Sequence, residues 1–137
     1  MQKAVNQVRV LILGSSVSIQ KNGYLSGLES DLNSSADNTY FTFLNASLGG
    51  TATEATYLYV LGNLFYDIEK FKPHIALIEK GVNERLPNYS LLDEKEQHAI
   101  EIKFKQDTAL LIEHLSKTGA LPVLLLSLIH ISEPTRR

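Results

Sequence analysis

The chain has 137 residues, of which 44% are hydrophobic and 20% are charged, and its formal net charge is -2. This length fits one domain, because a single core of this size buries roughly 68% of the surface that the unfolded chain exposes. The 13 Lys and Arg set against 15 Asp and Glu form no sustained basic run, so we expect no nucleic-acid partner. Zero cysteines exclude disulfides, thiolate catalysis and cysteine-ligated metals.

The amino-terminal segment, residues 1–9, is too polar for a signal peptide, and the apolar run that follows it stops at Gly14. No segment approaches the roughly 20 apolar residues of a membrane helix. The sequence therefore predicts a cytoplasmic protein without a membrane span.

The first half of the chain alternates strand and helix patterns. Val8–Gly14 is a mostly apolar run that contains β-branched residues and stops at a glycine, which predicts a strand buried on both faces of a parallel sheet. Leucines at helical spacing predict a short helix over Tyr24–Leu32, and Thr39–Leu44 is predicted as the second strand.

A second helix is predicted from about Thr53 to Lys70, because Thr51 and Glu54 stand at capping-box spacing before it. Its predicted buried face consists of the apolar residues Tyr57, Leu61, Leu64, Phe65 and Ile68.

The second half continues the alternation. Residues 74–79 are predicted as the third strand. Asp93 and Glu96 signal the start of a long helix that Gly119 closes, and Leu121–Leu126 is predicted as the fourth strand. The order β-α-β-α-β-α-β predicts a three-layer α/β/α sandwich with a central parallel sheet, whose ligands bind beyond the carboxyl ends of the strands.

Three polar clusters fall at these predicted strand ends: Gly14-Ser15-Ser16, Asn45-Ala46-Ser47-Leu48-Gly49-Gly50 and Gly81-Val82-Asn83-Glu84. A serine hydroxyl supplies a nucleophile for acyl transfer, while a glycine N–H and a carboxamide can hold the oxyanion that the attack creates. Because the intervening stretches each contain one helix and one strand, all three clusters should reach the same edge of the sheet.

In this order the clusters resemble the three motifs of the SGNH hydrolases, also called the GDSL esterase and lipase family. The resemblance covers roughly residues 8–126 and implies a flavodoxin-like fold and ester hydrolysis without a cofactor or metal. It makes Ser16 the nucleophile, Gly50 the backbone oxyanion donor and Asn83 the side-chain donor. The clusters look most like members associated with bacterial polysaccharides, which implies a small-molecule or carbohydrate ester, such as an O-acyl sugar, as the substrate.

The chain departs from the family pattern at four places. Ser15 and Glu84 stand where the family has Asp, and Lys80 stands where it has a small or apolar residue. The Asp-x-x-His block that supplies the family's general base is absent. Residues 127–137 look like translated adapter sequence. We therefore expect 1–126 to be one incomplete domain that lacks its last strand and helix, and 127–137 to be a non-native tail on an inactive fragment.

The chain has four histidines: His74, His98, His114 and His130. None of them lies where the family has its general base, so we do not expect any of them to replace it. Two alternatives to the hydrolase stay open. One is a non-catalytic α/β module that holds a phosphate or flavin at the Ser15-Ser16 loop. The other is a degenerate SGNH domain that binds glycans without cleaving them.

Overall fold

A computed structural model describes residues 6–15, 24–35, 38–49, 51–80, 84 and 88–125. Four parallel strands form one sheet in the order β2-β1-β3-β4. The elements in chain order are β1 (Asn6–Leu13), α1 (Tyr24–Ser35), β2 (Thr39–Asn45), α2 (Thr53–Leu61), α3 (Phe65–Phe71), β3 (Ile75–Glu79), a 3₁₀ turn (Tyr89–Leu91), α4 (Glu94–Lys117) and β4 (Leu121–Leu125).

This strand order is that of the flavodoxin-like sheet, so the predicted fold class is confirmed. The chain moves from β1 outward to β2 and then returns past β1 to β3 and β4. With right-handed crossovers, that reversal places α1 on one face of the sheet and α2, α3 and α4 on the other. The point of reversal, between β1 and β3, is where such sheets bind their ligands.

The main core lies between the sheet and the α2–α4 face. Leu11, Leu13, Ala76 and Ile78 of β1 and β3 pack in one cluster with apolar residues of the three helices and of the turn between α2 and α3, namely Val60, Leu64, Ile68, Leu111 and Leu115. Each fully buried leucine or isoleucine of this cluster contributes about 1.5–3 kcal/mol relative to an exposed one. Val10 and Ile12 alternate with Leu11 and Leu13, so they are buried on the α1 face.

The outer edge of β2 is covered by a side chain of α1. The Asn33 amide donates to the Phe41 carbonyl (3.1 Å) and accepts from the Phe41 N–H (2.7 Å). A carboxamide in this position satisfies the backbone groups that a neighbouring strand would otherwise bind, which protects an edge from pairing with another chain.

The long helix α4 begins and ends as predicted. Asp93 accepts from the Glu96 N–H (2.8 Å) while the Glu96 carboxylate accepts from the Asp93 N–H (3.1 Å), which is the predicted capping box. Gly119 follows the last turn with φ of 93°, a left-handed conformation that glycine adopts without steric cost.

The single helix predicted from Thr53 to Lys70 is wrong. The segment forms α2 and α3, because the helix stops at Gly62 and the Leu64 N–H donates to the Tyr59 carbonyl (2.9 Å), one residue beyond helical spacing. Glycine is a poor interior helix residue because it loses more backbone entropy than other residues, so a break at Gly62 costs little.

The capping box predicted for Thr51 and Glu54 does not form. Ala52 is the N-cap of α2 and provides no side-chain bond, and the Thr51 hydroxyl donates to the Leu48 carbonyl (2.9 Å). Glu54 instead forms an exposed ion pair with Lys103 of α4 (3.3 Å). The first turn of α2 is instead capped by Glu84, from the loop after β3.

The break also shifts the buried face of this segment. Leu64 and Ile68 are buried as predicted, and Tyr57 is half-buried against the core. The prediction of burial is wrong for Leu61 and Phe65, whose surfaces are 40% and 42% exposed. The residues of α2 that are buried are Thr53, Thr56 and Val60. None of the helices in the described part of the chain is both long and apolar enough to cross a bilayer.

Candidate active site

The carboxyl ends of β2, β1 and β3 lie side by side, and the polar clusters follow them directly. Three residues are predicted to act on a substrate: Ser16, Gly50 and Asn83. All three lie outside the described residues, and so do Gly81 and Val82. The described neighbours of all three do meet at this edge. Their contacts define how the three loops are held.

The loops after β1 and β2 are joined by the backbone of Gly14. Its N–H donates to the Ser47 hydroxyl (2.9 Å), and its carbonyl accepts from the Leu48 N–H (3.1 Å). The Ser47 N–H in turn donates to the Asn45 side chain (3.2 Å). Two residues of the second cluster therefore fix the residue that opens the first cluster.

The loops after β1 and β3 are joined by a buried side-chain contact. The Ser15 N–H donates to the Glu79 carboxylate (3.0 Å), and the Ser15 hydroxyl lies 2.9 Å from each carboxylate oxygen. Ser15 is 1% exposed, so this contact holds the strand ends together inside the protein rather than at its surface.

The loops after β2 and β3 are joined at two points. The Lys80 ammonium donates to the Thr51 carbonyl (2.8 Å) and to its hydroxyl (3.2 Å). The Glu84 carboxylate accepts from the Thr53 N–H (2.7 Å) and from the Thr53 hydroxyl. Because Thr53 is the first residue of α2, Glu84 is the side chain that caps this helix.

The charge at this edge is concentrated around Lys80, which is only 2% exposed. Burial lowers the pKa of the Lys80 ammonium below its usual 10.5, while the carboxylates of Glu84 and Glu79 act in the opposite direction. A buried ammonium is tolerated where its donors are satisfied and opposite charges lie near it.

The fold of this chain is similar to that of several esterases of known structure. AlinE4, an SGNH-hydrolase family esterase, superimposes with a TM-score of 0.63 at 23% identity over 90% of this chain and 59% of AlinE4. The chain has the SGNH-hydrolase fold. No protein-family model and no curated protein matches it in sequence.

Two further esterases are similar in structure to this chain. The psychrotrophic esterase EstA from Pseudoalteromonas sp., solved inhibited by monoethylphosphonate, has a TM-score of 0.61 at 19% identity, over 87% of this chain and 61% of EstA. The acetyl xylan esterase AlAXEase has a TM-score of 0.65 at 20% identity, over 85% of this chain and 57% of AlAXEase. The chain thus spans about three fifths of the length of these enzymes.

Two of the described histidines lie at the amino edge of the sheet, opposite the three loops. His74 precedes β3, and its Nδ1 accepts from the Arg9 N–H (2.9 Å) at the amino edge of the sheet. His114 lines a cavity of about 340 Å³ at that same edge, together with Lys72 and Pro73. His98 is exposed on α4, and His130 lies outside the described residues.

Sequence reasoning missed the contacts that Ser47, Glu79 and Thr53 make at this edge. Glu79 carried a usable signal, because it is the one charged residue in the otherwise apolar strand β3 and therefore needs a buried partner. Ser47 and Thr53 carried none, since both fit turn or capping roles that sequence alone assigns equally well. Within the described ranges, no group of three or more His, Asp and Glu side chains is arranged to hold a metal ion.

Proposed function

We propose that this chain is the core of a serine ester hydrolase in which Ser16 is the nucleophile. The Ser16 hydroxyl attacks the ester carbonyl, and the N–H groups of Ser16 and Gly50 and the Asn83 carboxamide stabilise the resulting oxyanion. The general base takes the Ser16 proton during the attack and gives it to the alcohol as the intermediate collapses, which leaves an acyl group on Ser16. Water that loses a proton to the same base then hydrolyses this acyl group, and the proton returns to Ser16.

The observation that carries this proposal is the closed set of contacts among the three loops. Gly14 is bound to Ser47, Ser15 is bound to Glu79, and Lys80 is bound to Thr51. Each loop is therefore tied to both of the others within four residues of the residue assigned to chemistry. Acyl transfer needs such fixed geometry, because oxyanion donors act at 2.7–3.1 Å from one developing charge.

The proposed substrate is an acyl ester on a carbohydrate, with O-acetyl as the first choice. It is supported by the fold shared with an acetyl xylan esterase and by the polysaccharide-associated form of the sequence clusters.

The general base is proposed to be a histidine from an Asp-x-x-His block outside residues 1–126, with 127–137 as a non-native tail. Loss of the base in a serine triad leaves about a thousandfold to ten-thousandfold acceleration over water. Sequencing the genomic locus tests this part: an authentic stop codon directly after Arg137 contradicts it.

A fluorophosphonate probe with peptide mass spectrometry tests the nucleophile. We expect Ser16 to carry the probe in the 137-residue chain, and to carry it faster when residues 1–126 continue into the downstream sequence of the locus. Ser16→Ala should abolish labelling, while Ser90→Ala, a change at an exposed serine of the 3₁₀ turn, should leave it unchanged.

Labelling that persists in Ser16→Ala, or that falls only on other residues, would remove the nucleophile from the proposal. Flavin absorbance or phosphate binding without labelling would favour a binding module instead. In the extended protein, Asn83→Ala should reduce turnover by roughly a hundredfold to a thousandfold, or about 2.7–4 kcal/mol of transition-state stabilisation.

A further inference from the structure

We propose that Lys80 and Glu84 are positioning residues that fix the loop carrying Gly50 against the loop carrying Asn83. This inference rests on the proposed function, since it concerns the two loops assigned to the oxyanion. Neither side chain is proposed to touch the substrate. Each acts through a backbone segment beside an assigned donor.

Lys80 holds the first segment at the residue directly after Gly50. Its ammonium binds both the carbonyl and the hydroxyl of Thr51, which restricts the backbone and the side-chain rotation of Thr51 together. Because Lys80 is 2% exposed, breaking these contacts would leave a desolvated ammonium with unsatisfied donors. The contact is therefore difficult to open.

Glu84 holds the same segment two residues further along. It directly follows Asn83 in the chain, and its carboxylate binds the N–H and the hydroxyl of Thr53 at the start of α2. The N-cap Ala52 offers no side-chain acceptor, so this end of α2 depends on a charge from the other loop. An anion at a helix N-terminus is favoured by the helix dipole as well.

The contacts of Lys80 and Glu84 lie close in sequence to both assigned oxyanion donors, Gly50 and Asn83. On one loop they hold Thr51 and Thr53, just after Gly50. On the other loop they arise from Lys80 and Glu84, on either side of residues 81–83. A displacement of about 1 Å between two such groups can cost a hundredfold in rate, so a two-point connection matches what an oxyanion site requires.

Both residues are departures from the family pattern, which has a small or apolar residue at position 80 and Asp at position 84. Lys80 makes a contact to the Gly50 loop that an apolar residue would not make, and Glu84 makes one that the shorter Asp would make only in part. Glutamate is one methylene longer than aspartate, and an apolar residue has no donor for Thr51. We infer that the two changes form one unit in this chain.

The test compares Lys80→Met and Glu84→Gln with two matched exposed controls, Lys103→Met and Glu54→Gln. Hydrogen exchange of the amides of residues 49–53 gives a readout that needs no activity. We expect faster exchange there in both variants and in neither control, with unchanged exchange in α4 around Leu111. Glu84→Asp should restore part of the protection, because it keeps the anion.

The second readout is the rate of fluorophosphonate labelling at Ser16, measured against probe concentration. We expect the maximal labelling rate to fall about tenfold to a hundredfold in Lys80→Met and Glu84→Gln, while the half-saturating probe concentration changes less than about twofold. Loss of general stability would instead raise exchange throughout the protein. Should Lys80→Met fail to fold, Glu84→Gln decides the question.

The outcomes separate this inference from the proposed function. Unchanged exchange at residues 49–53 in folded variants would overturn the connection. Faster exchange with an unchanged Ser16 labelling rate would overturn the positioning role. A wild-type protein that never labels at Ser16 would instead remove the proposed function, and hydrogen exchange would still decide whether Lys80 and Glu84 hold the loop.

Discussion

Ser15 and Glu79 join the ends of the two central strands through a buried contact. The backbone N–H and the hydroxyl of Ser15 both donate to one carboxylate, at 2.9–3.0 Å. Where the SGNH motif usually has Asp, this chain thus places a donor against an acid from the neighbouring strand. The contact fixes the residue immediately before the proposed nucleophile, and it couples the stability of the sheet to the geometry of the site.

Removing the Ser15 hydroxyl should therefore destabilise the folded protein. Hydrogen bonds to charged groups contribute about 1.5–3 kcal/mol, so we expect Ser15→Ala to lower the free energy of unfolding by that amount in urea denaturation. Ser34→Ala removes an exposed hydroxyl on α1 and should change it by less than about 0.5 kcal/mol. Equal losses in the two variants would mean that the buried contact adds no stability.

The break between α2 and α3 predicts different costs for the same substitution three residues apart. Leu64 is 5% exposed and lies in the main core, so Leu64→Ala should cost about 2–5 kcal/mol. Leu61 is 40% exposed, so Leu61→Ala should cost less than about 1 kcal/mol. Chemical denaturation of both variants measures this difference. A larger loss in Leu61→Ala would support the continuous helix predicted from the sequence.

The stability of the protein should rise with pH in the alkaline range because of Lys80. Burial lowers its pKa in the folded state below the usual 10.5, so the unfolded chain binds the proton more tightly. At a pH between the folded-state and the unfolded-state pKa of Lys80, the unfolded chain holds more protons than the folded protein. The free energy of unfolding therefore increases with pH in this range. The penalty for burying the ammonium is thus greatest at neutral pH and is relieved as Lys80 loses its proton.

Comparison with Lys80→Met isolates this contribution, because the variant lacks the ammonium and keeps every other titratable side chain. We expect the stability of the wild type relative to Lys80→Met to increase from neutral pH to pH 10.5. Urea denaturation at several pH values measures this difference. A difference that stays constant or declines over that range would show that the folded state does not depress the pKa.

Replacing two glycines with alanine should change the stability of the protein in opposite directions. Gly119 has a φ of 93°, so Gly119→Ala forces a left-handed alanine and should destabilise the protein by about 1 kcal/mol or more. A Cβ at Gly27 in α1 would meet no atom within 4 Å, so Gly27→Ala should stabilise it by about 0.5–1 kcal/mol. Thermal unfolding of both variants measures the two signs. Stabilisation by Gly119→Ala would contradict the helix end described for α4.

Local patterns in the sequence were sufficient for the order and type of most elements. The apolar run of β1, the capping box of Asp93 and Glu96 and the closing glycine at position 119 each arise from residues a few positions apart. Interactions of that range are set by backbone geometry and side-chain type, so they survive in any fold that contains the segment. The parallel sheet follows from their order, because crossovers have one preferred hand.

Contacts between distant residues decided the rest. Ser15 and Glu79 are 64 positions apart, and Thr53 and Glu84 are 31 apart, so no periodicity links them. Glu54 was the nearer candidate to cap α2, yet Glu84 does so because the sheet brings the loop after β3 to that helix end. The sequence determined which groups are available at this edge of the sheet. Only the tertiary structure decided which of them pair, because pairing buries charge and depends on strands that meet in space.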